Sequence, residues 1–166
     1  KHGRKGAKSI ARSANAYLRK LLSENIDHWC RALCPLFTAG PMKANAVVFT
    51  SCNTVTFQEV DCPEPGVDDV VVEVTHSWIS NGTEGSFLRG ERTAGDTPWV
   101  PGDPDPFPIV AGYQKVGKVT RVGGEVTDFA IGETVFATMG AVEGMFSPGG
   151  GQISPSIGKS RGMWKL

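Results

Sequence analysis

Five groups of residues in this 166-residue sequence have types that could do chemistry, and their spacing decides what each can support. Cys30 and Cys34, with His28 just upstream, offer thiolate and imidazole, the donors of structural zinc. Their three-residue gap is not that of a zinc knuckle, and the other cysteines, Cys52 and Cys62, sit in a different segment, so ordinary thiols are the better reading. Gly149-Gly150-Gly151 has the backbone freedom of a phosphate-cradling loop. Such a loop needs a strand before it, a G-x-G-x-x-G spacing and a helix behind it. Here Gln152, Ile153 and Ser154 follow, with no helical pattern. Arg89 and Arg92 could steer an acidic substrate or a cofactor phosphate, although solvated loop charge is the commoner role. Asn81-Gly82 is a turn signal, and His76, at the end of a strand-like segment, fits a surface or packed histidine.

The elements that would position such groups change character at Met42. Residues 1–41 carry eight Lys/Arg and two acids (8 − 2 = +6), whereas residues 42–166 carry nine and fifteen (9 − 15 = −6). The first segment is a basic leader, with apolar residues from Ile10 to Leu33 at three- and four-residue steps that predict a helix over residues 9–33. This leader reads as a transit peptide, as a contact for nucleic acid or an anionic membrane, or as sequence upstream of a true start at Met42; the last is the plainest. After Met42 the period is two. Strands are expected over residues 43–50, 54–60, 69–75, 110–122 and 133–139, the fourth interrupted by glycines as a bulged or curved strand would be. Residues 80–90 read as a loop entering a helical turn, residues 96–108 as an extended loop with five prolines, and the tail from Ser147 as Gly/Ser/Pro-rich. Five or six strands behind a basic helix make the body mainly β.

Four features after Met42 fall in the order used by one family. A Met42-Lys43-Ala44 strand opens the segment. Pro63-Glu64-Pro65-Gly66 leads into Asp69-Val70-Val71-Val72. Asn81-Gly82-Thr83-Glu84 follows. Then comes a block of Gly112-Tyr113-Gln114, Gly117-Lys118-Val119, Val122-Gly123, Val126, Phe129 and Ile131-Gly132-Glu133 in a single register. The sequence from Met42 to Leu166 resembles the N-terminal domain of the medium-chain dehydrogenase/reductase (alcohol dehydrogenase-like) superfamily. That resemblance implies a GroES-like, partly open β-barrel with short helical turns, on the substrate side of an active-site cleft. Ser80-Asn81-Gly82-Thr83-Glu84 is similar to the run in the zinc-less bacteriochlorophyllide a dehydrogenase branch.

The departures from the family pattern bear on chemistry. Zinc-dependent members use a cysteine where this sequence has Asn81 and a histidine where it has Tyr113, and the following glutamate is Gln114. Carboxamide and phenol are poor zinc ligands beside thiolate and imidazole. No cysteine follows Cys62, so the four-cysteine structural-zinc lobe is missing. The resemblance therefore implies an enzyme without zinc, whose substrate oxyanion must be met by hydrogen-bond donors. Thr83 stands at the position that begins the family's proton relay and is the leading catalytic candidate. Tyr113 reads equally as an acid or as a packed barrel aromatic, and Asn81 as a substrate contact or a turn residue. Glu84 and Gln114 are candidate substrate-side contacts, with Glu84 also reading as a structural carboxylate that accepts backbone amides.

The cofactor implied is NAD or NADP, held by a Rossmann domain that this sequence does not contain, so the chain reads as a fragment, inactive alone. The expected partners are that domain and a small-molecule substrate, with neither nucleic acid nor membrane, and a homo-oligomer is left open. No secretory signal pattern and no apolar run near the ~20 residues of a membrane span is present, and free thiols suit the cytoplasm. The competing reading is a non-enzymatic GroES-like barrel that binds a partner.

Overall fold

A computed structural model describes residues 41–166. The expected leader, with its helix and with His28, Cys30 and Cys34, lies outside the described residues apart from Pro41. The described chain runs β1 (Met42–Ser51), β2 (Thr54–Cys62), β3 (Asp69–Ser77), α1 (Asn81–Leu88), β4 (Arg92–Ala94), β5 (Thr97–Pro98) and β6 (Ile109–Val110). It continues through β7 (Lys115–Val122), β8 (Thr134–Ala137), β9 (Gly140–Ala141), β10 (Gly149–Gly150), β11 (Ile153–Ser154), β12 (Ser156–Lys159) and β13 (Met163–Lys165).

Two sheets make the body. One has the order β11-β1-β2 with β6 also on β1, and the other runs β12-β3-β7-β8-β13, all antiparallel. The β1–β2 hairpin turns at Cys52-Asn53, where Asn53 takes φ 57°, a left-handed conformation that asparagine tolerates. The first half of β3 is buried on both faces. Val70 and Val72 pack with Val119, Val135 and Met163, while Val71 faces Val48, Cys62 and Ile157. The alternation in residues 69–75 therefore separates two cores, and β3 is the wall between them. The sheets are tied where the chain passes from β11 to β12: the Ser154 hydroxyl accepts the Val74 N–H at 3.1 Å and donates to Glu73 at 2.9 Å. β3 meets β7 across two bulges. Gly117 lies so close to the Glu73 carbonyl that any Cβ would overlap it, which explains a glycine inside this strand. Mainly β, curled and half-closed, this is the GroES-like fold expected from the sequence.

The structure departs from the expected elements in three places. The single strand expected over residues 110–122 is two, β6 and β7, because Ala111–Gln114 leaves the sheet, with Gly112 at φ 76°. The Gly/Ser/Pro-rich tail forms four short strands, β10 to β13, and three of them, β11, β12 and β13, complete sheet edges. Asn81-Gly82 opens α1 rather than a turn, with Ser80 as the cap residue. Among the described residues no helix is long and apolar enough to cross a membrane.

Candidate functional site

The chain leaves β6 at Val110 and rejoins a sheet at Lys115, and the link between them is held by the tail. Gly151 donates its N–H to the carbonyls of Ala111 (3.0 Å) and Gly112 (2.7 Å), and Gln152 donates to Ala111 (2.8 Å). The Ala111 N–H in turn donates to Val47 of β1 at 2.9 Å. This presses Gly112-Tyr113 against Gly151-Gln152, so a side chain at Gly112 or Gly151 would collide with the opposing segment. Positive φ and close approach together make position 112 a glycine.

Across from this link sits α1. Glu84 is 5% exposed. Its Oε1 accepts the Ser80 N–H at 2.8 Å, closing the helix start, and its Oε2 accepts the Gln152 side-chain amide at 2.7 Å. The carboxylate thus caps its own helix and clamps the helix to the tail 68 residues away. Such charge-assisted bonds are the strong kind. The Ser86 hydroxyl donates to the Thr83 carbonyl at 2.7 Å, and among the described residues the Thr83 hydroxyl has no hydrogen-bond partner.

Between α1, the Gly112-Tyr113 link and the tail lies a cavity of about 440 Å³. Thr83, Glu84 and Tyr113 border it, against apolar walls that include Phe49, Phe87, Ile109 and Met139. Of the five site residues drawn from the sequence, these three come together. Asn81 is exposed on the first turn of α1, and Gln114 contributes its carbonyl to the Trp78 N–H at 3.3 Å; neither borders the cavity. Arg89 is paired with Glu91 as a solvent-facing charge, and Arg92, part-buried at the start of β4, is paired with Asp96. The glycine run holds no phosphate-cradle geometry: a Cβ at Gly150 would strike Val110, and one at Gly151 would strike Tyr113. These glycines permit close packing. Gln152 was missed from the sequence, as were Phe49 and Met139, because each reaches the site through long-range contact.

No family model matches the chain. It is 36% identical over 95 residues to the 2-desacetyl-2-hydroxyethyl bacteriochlorophyllide A dehydrogenase of Cereibacter sphaeroides, covering 57% of this chain and 27% of that protein. It is 31% identical over 99 residues to alcohol dehydrogenase 2 of Emericella nidulans, covering 57% of this chain and 25% of that protein. The chain thus spans about a quarter of the length of these curated relatives. A solved structure of a putative zinc-binding dehydrogenase from Sinorhizobium meliloti, bound to NADP, superposes with a TM-score of 0.56 at 21% identity, over 75% of this chain and 39% of that one. These relatives are dehydrogenases, which does not favour the reading of a non-enzymatic barrel.

Proposed function

We propose, for a chain that belongs through its N-terminal GroES-like domain to the medium-chain dehydrogenase/reductase superfamily, that it supplies the substrate side of a zinc-independent, nicotinamide-dependent oxidoreductase acting on an alcohol or carbonyl group. The observation that carries this reading is the joint position of Thr83 and Tyr113 on one largely apolar cavity. The donor set does not fit the zinc of related dehydrogenases. Asn81 is a carboxamide turned to solvent, Tyr113 a phenol, and among the described residues no three His, Cys, Asp or Glu side chains gather as a metal site. A nicotinamide held by a companion Rossmann domain would supply or take the hydride. The residues here then have the remaining tasks.

Hydride transfer at a carbinol carbon develops charge on the oxygen, and water-excluding walls make each donor worth more than in bulk solvent. Phe49, Phe87 and Ile109 supply those walls. Thr83, on the rigid first turn of α1, meets the substrate oxygen and passes its proton, and Tyr113 donates from the opposite side. Glu84 takes no proton: both its oxygens are committed to holding α1 and the tail in place. In the chain joined to a nucleotide-binding domain, Thr83→Val keeps shape and removes the relay, with turnover falling about a hundred- to a thousand-fold. Tyr113→Phe gives a fall of the same kind. Steady-state kinetics with thermal melts checks both, and near-parental turnover in both variants would place the oxyanion elsewhere. Elemental analysis of the chain after equilibration with zinc and desalting gives no stoichiometric metal; about one zinc per chain, surviving a mild chelator, sinks the zinc-independent part.

A further inference from the structure

A second cavity, of about 190 Å³, lies among β7, β8, β12 and the turn before β13. Its wall contains Lys115, Ser156, Lys159 and Arg161. Two of these are polar groups sealed in the protein: Lys115 and Ser156 are each 1% exposed. The Ser156 hydroxyl has no hydrogen-bond partner, and the Lys115 Nζ donates only to the Gly150 carbonyl at 3.3 Å. Both reach the space beside Gly140. A Cβ there would stand 3.1 Å from Nζ and overlap the serine oxygen, so the glycine leaves room for both.

Buried, under-satisfied polar groups cost free energy and call for an explanation. An ammonium needs three acceptors, and this site offers one. Burial accordingly pushes Lys115 down to about 7, opposed only weakly by the nearby Cys62, so a substantial share is the neutral amine near neutral pH. A neutral amine with a free lone pair is a nucleophile toward carbonyl carbon. At the rim, Lys159 is already engaged by Asp68 (2.6 Å) and Asp69 (3.0 Å). Arg161 is exposed, and its charge acts on Asp68, which is already bonded to Lys159; its guanidinium donors therefore stay open to an incoming anion. At roughly 30 Å³ per water-sized group, the volume suits about six heavy atoms.

We propose that this cavity is a second ligand site that takes a small 2-oxo acid, the Lys115 amine condensing with its carbonyl carbon while the Arg161 guanidinium holds its carboxylate. The amine lone pair forms the C–N bond as the C=O π pair moves to oxygen, which receives a proton from nitrogen to give a carbinolamine. Loss of that hydroxyl with the remaining N–H proton, as water, leaves the C=N imine. The unpartnered Ser156 hydroxyl is the donor for the departing oxygen. No oxidant or second substrate is required.

The test uses the full chain with glyoxylate as the probe and cyanoborohydride to reduce any imine to a stable N-carboxymethyl amine, followed by peptide mass mapping. At about pH 7, Lys115 is modified roughly ten-fold or more faster than the exposed Lys43, whose hydrogen bond to Asp61 holds its amine in the charged form. Lys115→Arg abolishes that adduct while circular dichroism shows the fold intact. Arg161→Gln slows glyoxylate labelling of Lys115 about ten-fold, the worth of one charge-assisted contact, and leaves labelling by the uncharged acetaldehyde unchanged. A folded chain in which Lys115 stays unmodified, or reacts no faster than the surface lysines, overturns the proposal. Equal glyoxylate labelling with and without Arg161 overturns the 2-oxo acid assignment.

Discussion

The two cavities share the side chain of Met139 and otherwise contrast. In the larger, the one fully buried ionisable group, Glu84, has both oxygens hydrogen-bonded, and the charge is spent on joining α1 to the tail. In the smaller, the buried ionisable group is Lys115, with one acceptor and beside it a serine whose hydroxyl has no hydrogen-bond partner. A satisfied buried charge stabilises the wall that carries it, whereas an unsatisfied one is a cost that the rest of the fold offsets. The first cavity is thus built to hold its hydroxyls still, and the second stores chemical reactivity at the expense of stability.

The largest effect that sharpens this contrast is on folding stability. Lys115 has a folded-state pKa near 7, below its ordinary 10.5. The unfolded chain therefore binds more protons between those values, and stability rises as pH climbs from about 7 to about 10.5. Below pH 7 the lysine is charged in both states and the full cost remains, on the order of 5 kcal/mol at about 1.4 kcal/mol per unit. Lys115→Met removes that cost and loses one hydrogen bond of about 1 kcal/mol. Urea unfolding is expected to show the variant several kcal/mol more stable than the parent at pH 6, with the difference shrinking toward pH 10. Cys62, pushed up to about 11 chiefly by burial, makes both chains less stable above pH 9 and largely cancels in the difference. A difference that is flat with pH would show Lys115 to be hydrated and charged in the fold.

This contrast was only half legible in the sequence. The period-two runs found β1, β2, β3, β7 and β8, because each lies in a run of seven or more residues that alternates in the sequence. The tail carried none: its strands are two to four residues long, too short to show a period, and their place is set by partners such as Asn45, Ala46 and Val72. Thr83 and Tyr113 could be named through the order of motifs, yet nothing in that order says they share a cavity while Asn81 and Gln114 do not. Sharing depends on Gly112 at positive φ turning the link toward α1. Lys115 was invisible for a different reason. A lysine in a strand reads as a solvent-facing residue, and its burial comes from β9 and β12 folding over it, which no local pattern records.

The smallest expected effect concerns the clamp of the larger cavity, and it asks whether Glu84 does there what its geometry suggests. Two things hold the Gly112-Tyr113 link: backbone hydrogen bonds from Gly151 and Gln152, and the side-chain bond from Gln152 to Glu84. Glu84→Ala leaves the Ser80 N–H and the Gln152 amide without an acceptor, at a cost of about 1–3 kcal/mol. Gln152→Ala leaves one carboxylate oxygen bare in a part-buried setting and costs about as much. If the bond itself is what stabilises, the double variant costs less than the sum of the two, with a coupling of about 1 kcal/mol in a double-mutant cycle. Purely additive losses would mean that the backbone bonds alone seat Tyr113 and that Glu84 serves only its own helix. The two cases also separate in the solvent exposure of Tyr113. With coupling present, breaking the clamp frees the tail edge of the cavity, and tyrosine fluorescence quenching by a neutral quencher increases in both single variants. Without it, only Glu84→Ala has that effect, because melting the start of α1 opens the cavity from the helix side.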